Sequence, residues 1–294
     1  MKGNNEWTFP LILGGLSLTW IVYHIFGTVW SRRLRNKLRD KVVLITGASS
    51  GLGESLAHSL HKDGCRVILA ARRKDELERV KKDLNAKHKE GFTHKPEIVV
   101  MDLADLNSLP ERAAQALAIF GHIDILINNG GIGHRGDVLE TDIDVAIRVM
   151  TVNFFGQMAL TKAVLPSMIS QKSGHIVAVS SIQGLIAIPY SDSLRAEVAE
   201  HNIKVSVISP GYIATAISIN ALTGSGEKHG VMDKNTAEGY KPEYCAEEIV
   251  KAIVHYKKEL VITPLVPRLA RLIRTLAPSL YFRIMAKRAL KRSE

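Results

Sequence analysis

Eight residues in the first third of the chain have the types and spacing to hold a phosphate: Thr46-Gly47-Ala48-Ser49-Ser50-Gly51-Leu52-Gly53. Glycines at 47, 51 and 53 allow a tight turn and close backbone approach to a pyrophosphate. A helix starting there adds free N–H groups and the positive end of its dipole. A glycine pattern alone is weak evidence. Here the apolar, β-rich run 41–46 precedes it and a helical pattern to about residue 63 follows, which is the context a dinucleotide site requires. The spacing, G-x-x-x-G-x-G, differs from the commoner dinucleotide fingerprint. The next apolar run ends Ala70-Ala71-Arg72-Arg73. An NAD site usually places an acidic residue there to bind the ribose 2′-OH. The charge is reversed in this chain, and Arg72 suits a 2′-phosphate, so NADP(H) is favoured over NAD(H). Arg73 reads as a solvated residue opening the next helix.

The elements that must position this turn alternate regularly. Strand-like runs fall at 41–46, 66–70, 97–101, 124–127, 175–180, 204–208 and 260–262. Helical patterns run to about 63, over 74–89, to 120, through a long stretch ending near 170, and over 243–256 with Pro242 at its start. Repeated β-α alternation predicts an α/β fold of Rossmann type, a doubly wound parallel sheet with right-handed crossovers. No internal repeat or linker divides residues 41–267, so they read as a single domain.

The chain has 294 residues, 46% apolar and 23% charged, which excludes a wholly disordered protein. Two cysteines exclude a disulfide scaffold and a cysteine-only zinc centre, and no metal site is expected. The net charge of +10 sits at the two ends: +5 over residues 31–41 and +7 over 268–294, leaving the body near neutral. A nucleic-acid partner is therefore not expected. Residues 7–30 carry no formal charge and as a helix would be about 36 Å long, enough to cross a hydrocarbon core. Residues 1–30 thus read as an N-terminal transmembrane anchor, and 31–40 as a basic juxtamembrane linker. Arg32, Arg33, Arg35, Lys37 and Arg39 follow the anchor, so the positive-inside rule puts the body in the cytosol. The segment 268–294 mixes Leu, Ile, Tyr and Phe with Arg and Lys. It reads as a basic amphipathic tail that lies either on an anionic bilayer or against the domain. The terminal Lys-Arg-Ser-Glu is neither a KDEL nor an SKL signal, which leaves the endoplasmic reticulum favoured and the peroxisome as alternative.

Taken together, these motifs resemble the short-chain dehydrogenase/reductase (SDR) family over residues 41 to about 265. TGASSGLG at 46–53 is similar to the family's TGxxxGxG, and Asp102-Leu103 follows the third strand where the family contacts adenine. Asn128-Asn129-Gly130-Gly131 resembles its NNAG motif, with Gly130 in place of Ala. Asn153 in VNFFG matches the active-site Asn, and Ser181 matches the catalytic Ser better than Ser180 does. Pro210-Gly211 with Thr215 resembles the loop on the nicotinamide and phosphates. The resemblance thus implies cofactor binding by Gly47, Ser49, Ser50, Gly51, Leu52, Gly53, Arg72, Asp102, Leu103, Asn129, Gly131, Pro210, Gly211 and Thr215. It implies catalytic roles for Asn153 and Ser181. SSIQG, SPGYI, GVMD and RTLAPSLYF carry a less specific resemblance to the membrane-anchored members.

The family's general acid/base is a Tyr in a Tyr-x-x-x-Lys pair, with the Lys lowering the Tyr pKa. At the expected positions stand Leu194 and Val198, and no Lys occurs between Lys172 and Lys204. Family members carry about fourteen more residues between Tyr190 and Asp192, nearly four helical turns. Tyr190 is expected in a loop before the helix, with spacing wrong for a replacement acid. Leu194 and Val198 are expected to keep facing the sheet under a thinned helical layer. That layer supplies the family's usual dimer contact, so a homo-oligomer is possible on a truncated helix. The implied activity is an NADP(H)-dependent oxidoreductase acting on an apolar carbonyl or alcohol, such as a lipid, steroid or retinoid. The alternatives are a catalytically inactive NADP(H)-binding or interaction protein, or a shortened isoform of an active parent.

Overall fold

Strand β1 (Val42–Thr46) is buried along its whole length. Its side chains divide with period two: Val43 and Ile45 enter one core, Val42 and Leu44 the other. A strand apolar on both sides must lie inside a sheet covered on both faces. The computed structural model describes residues 33–182, 184 and 187–290. The expected anchor, 1–30, lies outside the described residues. Six further strands join β1: β2 (Arg66–Ala71), β3 (Glu97–Val100), β4 (Ile125–Asn128), β5 (Gly174–Val179), β6 (Ile203–Pro210) and β7 (Glu259–Ile262). All pair in parallel, in the order β3-β2-β1-β4-β5-β6-β7. The chain changes winding direction between β1 and β4, and the crevice at the carboxyl ends of those strands is where such sheets bind ligands.

The helices are α1 (Gly51–Lys62), α2 (Lys74–Ala86), α3 (Leu109–Phe120), α4 (Ile143–Met150), α5 (Gly156–Gln171), α6 (Ala187–Glu197), the short α7 (Lys234–Ala237), α8 (Pro242–Val254), α9 (Leu265–Leu276) and α10 (Pro278–Leu290). One core joins α1, α2 and α8 to the sheet, and the other joins α3, α5 and α6. A π-helical turn, Thr151–Phe155, links α4 and α5 into a continuous helix over Ile143–Gln171. By length and composition alone that helix is apolar enough to cross a membrane. It belongs to the domain, because Val152, Leu160, Val164 and Met168 enter the second core.

Leu194 and Val198 are buried in that core, facing the sheet as their spacing predicts. Tyr190 departs from expectation. It stands inside α6, its ring edge-on to Phe154 at 5.7 Å. Pro189 is the only breaker in this stretch. It is tolerated in a first helical turn, where its missing N–H has no intrahelical role.

The ends of the domain also differ from a simple tether and tail. In the described part of the basic segment, Leu38 is buried. Arg35 places Nε 3.2 Å from Asp63 and Nη2 2.8 Å from Glu247, whose other oxygen accepts from Ser59 Oγ at 2.9 Å. This fastens residues 33–38 to α1 and α8. At the other end the helix begins at Leu265, three residues before the expected basic tail, and Ala277-Pro278 divides it into two.

His175, at the start of β5, is buried. Ser206 Oγ donates to Lys257 O at 2.6 Å, so His175 must donate to Ser206 from Nε2, at 2.8 Å. Its Nδ1 has no hydrogen-bond partner among the described residues. Burial, and secondarily the charge of Lys204, hold its pKa down from 6.5 to about 4. The folded state therefore resists the proton that the unfolded chain accepts, and stability from this group is lost as pH falls from 6.5 to 4. Urea denaturation across that range is expected to show the wild type losing about 3 kcal/mol relative to His175→Gln. Parallel curves for the two proteins would contradict the assignment.

Candidate functional site

The site is organised by the carboxyl end of β1. Thr46 is buried, and its Oγ1 donates to Ile127 O at 3.2 Å. The same oxygen accepts from the backbone N–H groups of Asn129 and Gly130, each at 2.9 Å. Asn129 Nδ2 donates back to Thr46 O at 3.0 Å. The ends of β1 and β4 are thereby locked together at the switch point of the sheet.

The glycines follow from that closeness. Gly47 has φ +67°, and a Cβ there would stand 2.8 Å from Gly130 Cα. A Cβ on Gly53 would stand 2.2 Å from Gly47 O. Gly51 has φ +58°, and its Cβ would meet Thr215 Cγ2 at 3.0 Å. What remains is a cradle of bare backbone at the N-terminus of α1. Ser50, the residue before α1, makes no side-chain hydrogen bond to the first turn, so no side chain caps those N–H groups. The arrangement fits an anion that approaches backbone closely, as a dinucleotide pyrophosphate does.

The serine hydroxyls are engaged elsewhere. Arg73 Nη2 donates to Ser49 Oγ at 3.0 Å and to Ser50 Oγ at 2.9 Å. Arg73 is exposed and directly precedes α2, as the sequence suggests, and it also braces the glycine turn. An arginine next to Arg72, with hydroxyls 23 and 24 residues upstream, leaves no periodic signal that identifies it. Arg72 itself is exposed and lies with Nε 4.0 Å from Asp102 Oδ1. Asp102 also accepts from Ala104 N at 2.9 Å. Arg72 and Asp102 thus meet at the carboxyl ends of β2 and β3, beside the glycine turn.

The two leucines among the expected cofactor residues have their side chains in the core. Leu52 joins the first core and Leu103 the second. Leu103 Cδ1 would lie 2.7 Å from a Cβ on Gly130, and its carbonyl 2.3 Å from one on Gly156. Glycine at 130, where the family carries alanine, is thus matched to the leucine beneath it.

On the far side, Gly211 N donates to Ile262 O at 2.8 Å, and Ile182 N donates to Pro210 O at 3.0 Å. The 210–215 loop is therefore hung from β7 and the end of β5, and it reaches Gly51 through Thr215. Gly131 abuts Asn153, whose Oδ1 would lie 3.1 Å from its Cβ. Asn153 sits in the π-turn. Its Oδ1 accepts from Ile132 N at 2.8 Å and its Nδ2 donates to Ile132 O at 2.9 Å. Both ends of the amide hold the loop after β4, so Asn153 acts here as a positioning residue. One turn on, Gln157 Nε2 donates to Gly130 O at 2.8 Å, a support the sequence reading missed despite its i+4 spacing from Asn153.

Ser181 is exposed just beyond β5, in a tight turn closed by Gly184 N donating to Ser181 O at 2.9 Å and Ser180 Oγ donating to Gly184 O at 3.0 Å. Tyr190 is half-buried in α6. Burial, with Glu197 second, raises its phenol above the ordinary value, opposite to what a base at neutral pH needs.

Residues 41–225 match the family model described as short chain dehydrogenase. A "Dehydrogenase/reductase SDR family protein 7-like" from Anopheles gambiae is 52% identical over 299 positions, covering 97% of this chain and 94% of the relative. "Dehydrogenase/reductase SDR family member 7B" of Bos taurus is 46% identical over 297 positions, covering 96% of this chain and 90% of its own. Both alignments are longer than this 294-residue chain, so these relatives carry residues that it lacks. Among solved structures, a short-chain dehydrogenase from Streptomyces avermitilis has a TM-score of 0.68 at 26% identity, over 86% of this chain and 97% of that one. An alcohol dehydrogenase from the archaeon Thermococcus sibiricus, complexed with 5-hydroxy-NADP, shares the fold with a TM-score of 0.62 at 24% identity, over 76% of this chain and 96% of that one.

Removing the Thr46 hydroxyl strands two backbone N–H groups beside it. Thr46→Val is expected to cost about 2–4 kcal/mol in chemical denaturation, while Thr46→Ser, which keeps the oxygen, costs far less. Equal stability of the two variants would show that the hydroxyl does not hold the switch point together.

Proposed function

The chain belongs to the short-chain dehydrogenase/reductase family, and from that premise we propose that it is a membrane-anchored, NADP(H)-dependent oxidoreductase framework for an apolar carbonyl or alcohol. Members of this family use a nicotinamide cofactor. When bound, that cofactor supplies the hydride, and everything else falls to the protein. The observation that carries the reading is the glycine cradle closed by Thr46, Asn129 and Thr215, with Arg72 at its open end. The exposed guanidinium of Arg72 can fork onto a 2′-phosphate, while Arg73 braces the serines of the turn, and this supports NADP(H) over NAD(H). Gly47, Gly51 and Gly53 bring backbone to the pyrophosphate. Asn129 and Gly131 line the loop after β4, and Pro210, Gly211 and Thr215 close over the nicotinamide half. Asp102 serves the adenine end and Ser181 the substrate oxygen. The 24-residue uncharged stretch at 7–30 and the basic residues after it support a bilayer anchor with the domain on the cytosolic side, most simply at the endoplasmic reticulum. An enzyme tethered to lipid meets apolar substrates there.

A second reading rests on one specific observation. No Lys occurs between Lys172 and Lys204, and Tyr190, the sole Tyr of that stretch, has a raised pKa. This chain therefore holds the cofactor and the substrate oxygen without the group that moves the proton. A longer form with the Tyr-x-x-x-Lys segment is the active enzyme, and this form binds nucleotide without efficient turnover. General acid/base groups contribute about 10²–10⁴-fold. In fluorescence titrations the full chain is expected to bind NADPH at least about tenfold more tightly than NADH. Restoring a fourteen-residue Tyr-x-x-x-Lys segment after Tyr190 is expected to raise carbonyl reduction by about 10²–10⁴-fold at similar NADPH affinity. Failure to bind either nucleotide would overturn both readings. Turnover by the chain as given, unchanged by the insertion, would overturn the second.

A further inference from the structure

Helix α9 begins three residues after β7, the strand from which the cofactor loop hangs. A Cβ on Gly211 would lie 2.8 Å from Thr263 Oγ1, and Arg268 Nη2 donates to Val261 O at 3.0 Å, fixing the first turns of α9 against the rim of the cleft. Along this helix Leu265, Leu269, Leu272 and Leu276 recur at i, i+4, i+7 and i+11 and so form one stripe. All four are exposed; Leu272 keeps 53% of its surface and Leu276 74%. A soluble domain gains nothing by showing water such a row of leucines. Nor is the remainder of the helix pair neutral: residues 265–290 hold six Lys/Arg and no Asp or Glu. An apolar stripe on a helix whose only charged residues are Arg268, Arg271 and Arg274 complements an anionic lipid surface, whose headgroups take the charges while the acyl boundary takes the leucines.

We infer that α9 lies in the interfacial plane of an anionic bilayer through Leu265, Leu269, Leu272 and Leu276, and holds the rim of the cleft at the membrane surface. This rests on the membrane-anchored reading above and specifies how the domain sits. The other attachment is at the opposite end of the strands, where Arg35 ties residues 33–38 to Asp63 at the end of α1. Held at both ends, the sheet runs along the membrane rather than standing out from it. The cleft then opens beside lipid, next to the exposed ring of Tyr212, and an apolar substrate reaches it from the bilayer without crossing water.

Cys65 and Cys245 are both buried, so a cysteine introduced on α9 is labelled selectively. The test uses the full chain with Leu272→Cys carrying a bimane, in vesicles of phosphatidylcholine with phosphatidylserine and nitroxide-labelled lipid. Lys82→Cys, on the exposed side of α2, serves as control. At position 272 the lipid nitroxide is expected to quench at least twofold while aqueous iodide does not, with the reverse at 82. Quenching by iodide alone at 272, in protein that still co-sediments with vesicles, overturns the docking of α9 and leaves the anchor standing. Protection from both quenchers means that protein covers the stripe, and also overturns it. Failure to co-sediment rejects the membrane reading itself. Lipid quenching that is equal in vesicles of phosphatidylcholine alone overturns the part assigned to charge.

Discussion

Two strands that are far apart in the chain meet at the switch point of the sheet, and the approach of their ends sets the rest of the site. Thr46 draws the loop after β4 onto the end of β1 through a hydroxyl shared among three backbone groups. At that separation no side chain fits at Gly47, and the returning helix leaves none at Gly53. The backbone left uncovered faces the N-terminus of α1, where dipole and N–H groups favour an anion. Arg73, Asn153 and Gln157 brace the walls of this cradle. The residues that form the cradle therefore depend on a second set that holds them in place.

The α6 region shows how helical phase preserves a packing face. About fourteen residues correspond to nearly four turns, so the residues that follow return to within about 40° of their former face. Leu194 and Val198 accordingly reach the core. Stability and chemistry separate here. The packing face survives because it depends on helical phase. A proton-transfer pair of the kind the resemblance implies depends instead on two particular side chains.

The fold was legible because it rests on periodicity. Continuous burial of β1, the alternation of strand and helix, and the positive-φ glycines of the turn after β1 all leave marks in composition and spacing. Elements that depend on long-range partners left weaker marks. Arg73 looked like any charged residue opening a helix until Ser49 and Ser50 were brought to it. Tyr190 looked like a loop residue because it precedes the expected start of the helix, although α6 begins at Ala187. Arg35 looked like part of a charge run, and only the fold supplies Asp63 and Glu247. Leu103 carried a family role but has its side chain in the core beneath Gly130. In each instance the residue type was visible and its partner was not.

The central claim is that the cradle built by Thr46, the glycines and Thr215 receives a nicotinamide dinucleotide. Hydrogen–deuterium exchange of the full chain with and without NADPH tests it most directly. The account predicts slowed exchange at residues 46–53, 129–132 and 211–215 together, with the opposite end of the sheet around residues 88–94 unchanged. NADPH-dependent protection elsewhere, with none at the glycine turn, would contradict it.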